Sequence, residues 1–439
     1  MHTLAQLRNG GLKGVASLKL SEGLSTFPPE IFDLADTLEV LDLSRNDLSE
    51  LPPDFGRLKK LRILFCSENQ FTVLPEVLGD CPVLEMVGFK ANKIETVPAR
   101  ALNTHLRWLI LTDNSIASLP MEIGNCSRMQ KLMLAGNQLT ELPVAMANCR
   151  NLALLRISAN RLQALPAWLL SMPKLSWLAF SGNPFSISAN AAGLPVINWH
   201  QLHVHHILGE GASGIIYKAL MHSDNKEKEV AVKVFKGAVT SDGLPEDEMN
   251  TFIAAGSHPG LVQVIGRIAE HPAGKAGVVM ELIHGHFHNL GLPPTFETCT
   301  RDVFKQGLTL SLPQVLNIAR TIASVAAQLH SRGIMHGDLY AHNILVDEYG
   351  NTLFGDFGAA CMYPLSDMHT AASLEQLEVS AFGHLLDDLL SLCHQSANST
   401  LATLHQLRNN CIADDVLQRP GFAQLSDQLA NLGNDYPGK

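Results

Sequence analysis

A chain of 439 residues is too long for one hydrophobic core and implies two or three domains. With 46% hydrophobic and 17% charged residues it has the make-up of an ordinary globular protein, and a net charge of −10 argues against a nucleic-acid binder, which would carry a basic face. The opening MHTLAQLRNGGLKG lacks an apolar run long enough for a secretory signal, and no stretch approaches a membrane span. A cytoplasmic protein without membrane insertion is expected.

Residues 38–46 read LEVLDLSRN, and the pattern returns at 61, 84, 106, 129, 152 and 175 (LRILFCSEN, LEMVGFKAN, LRWLILTDN, MQKLMLAGN, LALLRISAN, LSWLAFSGN). A degenerate copy, VASLKLSEG, begins at 15, and the period is 23 residues, once 22. Leucines at the first, fourth and sixth positions point inward around a short strand. The recurring Asn46, Asn69, Asn92, Asn114, Asn137, Asn160 and Asn183 stand at a turn, where the amide can satisfy backbone groups of neighbouring coils. Leu-Pro pairs then start a return leg, and stability must come from stacking, because one coil cannot bury its own apolar face. Cys81, Cys126 and Cys149 hold one repeat position and are expected to act as small buried hydrophobes. No CxxC pair supports a zinc site, and the histidines at 203, 205, 206, 284, 286 and 288 are better explained as strand and loop residues than as ligands.

The repeat LxxLxLxxN resembles the leucine-rich repeat, which implies an α/β solenoid of about eight repeats over residues 1–190. Strand alternation sends the third and fifth positions to the open face. Phe65, Met86, Trp108, Ile110, Met133 and Trp177 are expected there as one apolar stripe that binds a protein, either a partner or the chain's own second half.

Residues 191–200 are expected to be a linker, and the texture then changes. GEGASG at 209–214 lies between apolar stretches, and the β-branched Ile215 and Ile216 after it indicate strand, glycine turn, strand. VAVKVF at 230–235 carries Lys233 among apolar neighbours, which is costly unless an anion meets it. Glu248, or else Glu246, in PEDEMNTFIAAG is the candidate partner. VVMELI at 278–283 is a further strand, and LPQVLNIARTIASVAAQLHSRG a helix stopped by Gly333. MHGDLYAHN follows, with Asp338 five residues before Asn343 and eighteen before Asp356 of an Asp-Phe-Gly.

In that order and spacing, the set resembles a eukaryotic-type protein kinase domain of α+β bilobal fold, over about 201–432 with a tail at 433–439. The resemblance implies an ATP- and Mg2+-dependent protein kinase acting on Ser or Thr. Gly209, Glu210, Gly211 and Gly214 would form the phosphate flap. Lys233 with Glu248 would orient ATP, Asp338 would accept the hydroxyl proton, and Asn343 and Asp356 would hold magnesium. Met280 would be the gatekeeper, the hinge backbone from Glu281 to Ile283 would meet the adenine, and Ile216, Ala231 and Leu345 would enclose it. The long connection GLPPTFETCTRDVF is similar to one in a group of bacterial and plant proteins that join such repeats to a compact kinase domain.

Several positions depart from the family pattern. Gly337 replaces the arginine that answers a phosphorylated activation loop, and Tyr340 a lysine. EVSAFG at 378–383 would begin the central helix of the C-lobe, with Glu378 for the usual Asp, only twenty-two residues after Asp356. Ala-Pro-Glu is absent, leaving Glu375 as the candidate partner for Arg419. These departures touch regulation and peptide docking. They keep open a nucleotide-binding scaffold working through its repeats, or a kinase for a small molecule.

Overall fold

The computed structural model describes residues 2–187, 194–211, 213–223, 226–236, 239–240, 242–283, 285–395 and 398–432. Ala212, His284, part of the expected linker and the tail at 433–439 lie outside them. Contacts divide the chain into Met1–Met172 with Asn183–Phe185, and Pro173–Gly182 with Ser186–Lys439.

The first unit opens with α1 (Leu4–Arg8), whose cap residue Thr3 exchanges hydrogen bonds with Gln6 in a capping box. Seven three-residue parallel strands follow: β1 (Ser17–Lys19), β2 (Val40–Asp42), β3 (Ile63–Phe65), β4 (Met86–Gly88), β5 (Trp108–Ile110), β6 (Lys131–Met133) and β7 (Leu154–Arg156). Return legs start after a proline, as at Glu76–Asp80, Met121–Asn125 and Val144–Asn148, and the last is α2 (Ala167–Leu170). Proline fits there because its fixed φ suits the first turn and its missing N–H is not needed.

The turn asparagines stitch the coils together. Asn137 donates to Leu111 O and Leu134 O at 2.9 Å and accepts from Ile116 N at 3.0 Å. Asn69 and Asn160 repeat the arrangement one or more coils away. Cys81, Cys126 and Cys149 are buried free thiols, pushed up to about 12, 12 and 11 by burial.

The second unit begins with β8 (Trp177–Ala179), the eighth strand of the repeat series. Its six-stranded sheet contains β9 (Val196–Asn198), β10 (Leu202–Glu210), β11 (Gly214–Ser223), β12 (Lys226–Phe235), β13 (Val264–Ala269) and β14 (Gly277–Glu281), in the order β10-β11-β12-β14-β13-β9. Val196–Asn198, expected within a linker, thus pairs in parallel with Arg267–Ala269. Helix α3 (Pro245–Ala255) follows β12. Beyond the sheet, β15 (His288–Asn289) leads to α4 (Leu312–Ser331), which Ser311 and Gln314 start with a capping box. Short pairs follow: β16 (Ile334–Met335) with β19 (Cys361–Met362), and β17 (Ile344–Val346) with β18 (Thr352–Phe354). Helices α5 (Met368–Leu392), α6 (Ser399–Cys411) and α7 (Phe422–Asn431) complete the unit.

Helix α5 starts ten residues before the expected Glu378. Asp367 caps it through Thr370 N at 3.1 Å, and HTAASLEQLE carries no breaker to delay it. Among the described residues no helix is long and apolar enough to cross a membrane.

Candidate active site

A cavity of about 620 Å3 in the second unit collects most of the predicted residues. Gly209, Gly211, Gly214, Ile216, Ala231, Lys233 and Glu248 line it from the sheet and α3, and Met280, Glu281 and Ile283 from the end of β14. Asn343, Leu345 of β17 and Asp356 line it from the segments beyond. Gly214 is sterically required, because a Cβ there would stand 2.7 Å from Val234 O. Glu210 is a correction. It sits between two lining glycines and, by strand alternation, turns away to accept from Lys236 Nζ at 2.7 Å. Leu208, Val262, Phe287, Asn289 and His342 also line the cavity. Sequence reasoning missed them, although Leu208 stands one residue before Gly209 and His342 one before Asn343.

Lys233 on β12 is buried, and its amine forms an ion pair with Glu248 Oε1 on α3. The choice between Glu248 and Glu246 is thereby resolved in geometry. Burial pushes the Glu248 carboxyl up, and neighbouring Asp356 adds to this, while the Lys233 charge opposes it. Glu248 Oε2 is buried without a hydrogen-bond partner.

The loop bearing Asp338 hangs from α5. Glu378, wholly buried, accepts from His336 N at 3.1 Å, from Gly337 N at 2.6 Å and from His330 Nε2 at 2.7 Å. Burial works against its charge, yet the hydrogen bonds from His330 and from the Gly337 backbone hold its carboxyl below the usual range. His336 Nε2 lies 3.1 Å from Gly355 O and therefore carries the ring proton; burial keeps that imidazole neutral by lowering its pKa. Its ring stacks on Phe354 at 3.9 Å and touches Phe357 at 5.0 Å, and Phe357 stacks in turn on Phe252 of α3 at 4.7 Å. This column seats the Asp-Phe-Gly turn. Asp356 itself is held at φ 56, a left-handed conformation that costs about 1–2 kcal/mol for a residue with a side chain.

Asn343 Nδ2 donates to Asp338 Oδ2 at 2.8 Å and to Asp338 O at 3.0 Å. The amide end is committed, and the oxygen end remains to accept a ligand. One carboxylate and one amide oxygen suit a hard divalent cation that takes its other ligands from phosphates and water. Among the described residues no three His, Cys, Asp or Glu side chains converge on a metal site. His342 Nδ1 lies 2.7 Å from Asp302 Oδ1, so the long connection after β14 is pinned beside Asn343.

Three expectations fail. Arg419 does not turn to Glu375 but donates to Ala413 O (3.0 Å), Gln376 O (3.0 Å) and Pro173 O (2.6 Å). Glu375 accepts instead from Phe422 N, 2.6 Å away at the start of α7, where the helix offers unsatisfied N–H groups. Trp177 is not on an open face: it is 1% exposed and stacks on Tyr340 at 4.3 Å, so of the two occupants expected for the stripe it is the chain's own second half that this residue meets. Met86 is likewise buried, in register between Ile63 and Trp108. Phe65, Trp108, Ile110 and Met133 are half-buried, with Trp108 Nε1 3.4 Å from Met133 Sδ and Lys131 Nζ 4.5 Å from the Trp108 ring.

A glycine flap, a buried lysine–glutamate pair and an Asp-Phe-Gly turn around one cavity define a kinase-like domain, a fold that binds nucleotides. Comparison with known proteins agrees. Residues 202–381 match the family model described as protein tyrosine and serine/threonine kinase, and residues 37–58, 104–162 and 127–185 match leucine-rich-repeat models. The chain is an N-terminal leucine-rich-repeat region joined to a kinase-like domain.

A probable serine/threonine-protein kinase of Dictyostelium discoideum is 33% identical over 162 residues, which are 36% of this chain and 9% of that protein. The serine/threonine-protein kinase mos of Gallus gallus is 30% identical over 176 residues, 37% of this chain and 48% of that kinase. The leucine-rich repeat and calponin homology domain-containing protein 1 of Mus musculus is 32% identical over 129 residues, 29% of this chain and 18% of that protein. The chain spans less than half the length of each of these relatives.

Proposed function

We propose that the second unit is an ATP-dependent protein kinase that phosphorylates Ser or Thr hydroxyls and that the repeats bind a protein partner or regulator. The observation that carries this reading is the ion pair of Lys233 with Glu248 at a cavity that Asn343 and Asp356 also line. A decayed site has no reason to keep a lysine buried opposite a carboxylate, since each charge costs several kcal/mol to desolvate.

In this reading Lys233, held by Glu248, orients the α- and β-phosphates. The hinge backbone from Glu281 to Ile283 meets the adenine, and Ile216, Ala231 and Leu345 enclose it. Asn343 and Asp356 would hold Mg2+, which when bound neutralises the charge of the triphosphate oxygens. Asp338, oriented by Asn343 and by the Glu378-anchored backbone, accepts the proton of the attacking hydroxyl. The trimmed segment after Gly358 also suits a kinase for a small molecule, because only nine residues separate Gly358 from α5.

The test is transfer of label from ATP and magnesium to casein, with nucleotide binding measured beside it. Asp338→Ala should retain nucleotide binding and lose on the order of 10²–10⁴ in rate. Equal turnover in the variant would remove Asp338 from the chemistry.

A further inference from the structure

We propose that the segment Pro173–Gly182 positions the catalytic loop, standing in for the activation-segment contacts this chain lacks, and that Trp177 is its principal positioning residue. The proposal rests on the reading of the second unit as a phosphotransferase.

Four elements around the site are bound by this one segment. Trp177 Nε1 donates to the carbonyl of Leu339, the residue after Asp338, at 3.1 Å. The indole lies flat on Tyr340, with ring centroids 4.3 Å apart and planes 7° from parallel, and it also stacks on His384 of α5 at 5.4 Å. Phe180 N–H donates to Cys361 Sγ at 2.9 Å, on the strand that follows Asp356-Phe357-Gly358. Ser176 Oγ donates to Ser380 Oγ of α5 at 3.0 Å, and Arg419, left without an Ala-Pro-Glu glutamate, donates to Pro173 O.

Gly337 ties these contacts to the sequence. It holds φ +73, and a Cβ built on it would stand 2.6 Å from Leu178 O and 2.7 Å from Ala359 O. Both atoms are backbone and neither can swing aside. No side chain, and so no arginine, fits at position 337 while Leu178 is in place. The missing arginine thus has a steric cause: the room at position 337 is taken. With Glu378 bonding the N–H groups of His336 and Gly337, and Trp177 the carbonyl of Leu339, Asp338 is fixed from both sides along the chain.

The contact supports the site and does not block it. None of residues 173–182 lines the nucleotide cavity, while Asn343 and Asp356 do, and Asp338 keeps part of its surface exposed. Removing Trp177 should thus lower the chemical step and spare nucleotide binding. A small misplacement of a catalytic group is enough for a large loss of rate.

The test uses the full chain as Trp177→Ala and Trp177→Phe, with casein as acceptor, labelled ATP and magnesium, and a non-hydrolysable ATP analogue for affinity. Trp177→Ala should lose about tenfold or more in kcat, with the analogue's Kd within about twofold of wild type. Trp177→Phe keeps an aromatic ring against Tyr340 while losing the indole N–H and part of the ring contact, so it should recover part of that rate. Should Trp177→Ala fail to fold, Trp177→Phe carries the test through a loss of about threefold in kcat at unchanged KM for ATP. Unchanged kcat in a variant that folds overturns the proposal, and so does a rise, which would make the segment a brake. Parallel loss of analogue binding and rate also overturns it, since Trp177 would then be filler for the whole unit. A wild-type chain that transfers no label brings down the kinase reading and this proposal together; a transferring wild type matched by its variants brings down this proposal alone.

Discussion

The repeats and the kinase-like unit both bury polar groups, and they satisfy them in opposite ways. In the repeats the recurring buried group is a neutral amide, with Arg156 and Lys131 as buried charges beside it, and Asn69, Asn137 and Asn160 reach backbone atoms within 26 residues of themselves. The coils from Asn46 onward use the same bonds, so none of these positions is unique. In the second unit the buried pairings involve ionisable side chains and each is unique: Lys233 with Glu248, His330 with Glu378, and Arg419 with the carbonyl of Pro173, 246 residues away. Repetition spreads stability evenly. Chemistry concentrates it in a few pairs that cannot be exchanged.

Single substitutions should expose that contrast. Glu248→Ala leaves the Lys233 ammonium buried and unpaired, which typically costs about 3–5 kcal/mol. Denaturant unfolding followed by probes in each unit should show the loss in the second unit, together with loss of nucleotide binding. An equal loss in the repeats would erase the distinction. Asn137→Ala removes three hydrogen bonds at roughly 1 kcal/mol each, about 3 kcal/mol in all. Asn69→Ala and Asn160→Ala should cost about the same to within ~1 kcal/mol, with nucleotide affinity unchanged in all three. Widely different losses among them would show that the coils are not equivalent.

A smaller effect is expected from pH. Burial, with the Arg301 charge beside it, lowers His384 to about 4 from the usual 6.5. A depressed folded value means that stability is complete above 6.5 and is lost as pH falls toward about 4, because the unfolded chain takes up the proton first. Nearby Asp388, raised to about 6 mainly by burial, pulls the opposite way in the same range, so the difference from His384→Gln is the informative quantity. Wild type should lose on the order of 2 kcal/mol relative to that variant between pH 7 and pH 5. A flat difference would mean that His384 is not held neutral.

The two regions also differ in how openly their sequences declare them. A 23-residue period exposes every coil, because each repeat satisfies itself through its neighbours. The site of the kinase-like unit is legible where chemistry dictates residue type, at the glycines, Lys233, Asp338, Asn343 and Asp356, and its strands and α4 where apolar runs and Gly333 mark them. Pairing Lys233 to Glu248 rather than Glu246 needs the phase of α3. What stays hidden depends on partners distant in sequence. Trp177 has the same repeat phase as Trp108, yet it is buried against Tyr340, and periodicity carries no signal for that. Arg419 and Glu375 have opposite charges and still find other partners, because a carbonyl cluster and a helix N-terminus lie nearer. Gly337 resembles decay in the sequence and becomes a steric requirement only once Leu178 and Ala359 are seen beside it.

The most direct test of the kinase reading is phosphoamino-acid analysis of casein and of the chain itself after incubation of the wild-type protein with labelled ATP and magnesium. Phosphoserine or phosphothreonine that disappears in Asp338→Ala is the predicted result. ATP bound at the cavity with no label transferred to either protein would contradict it.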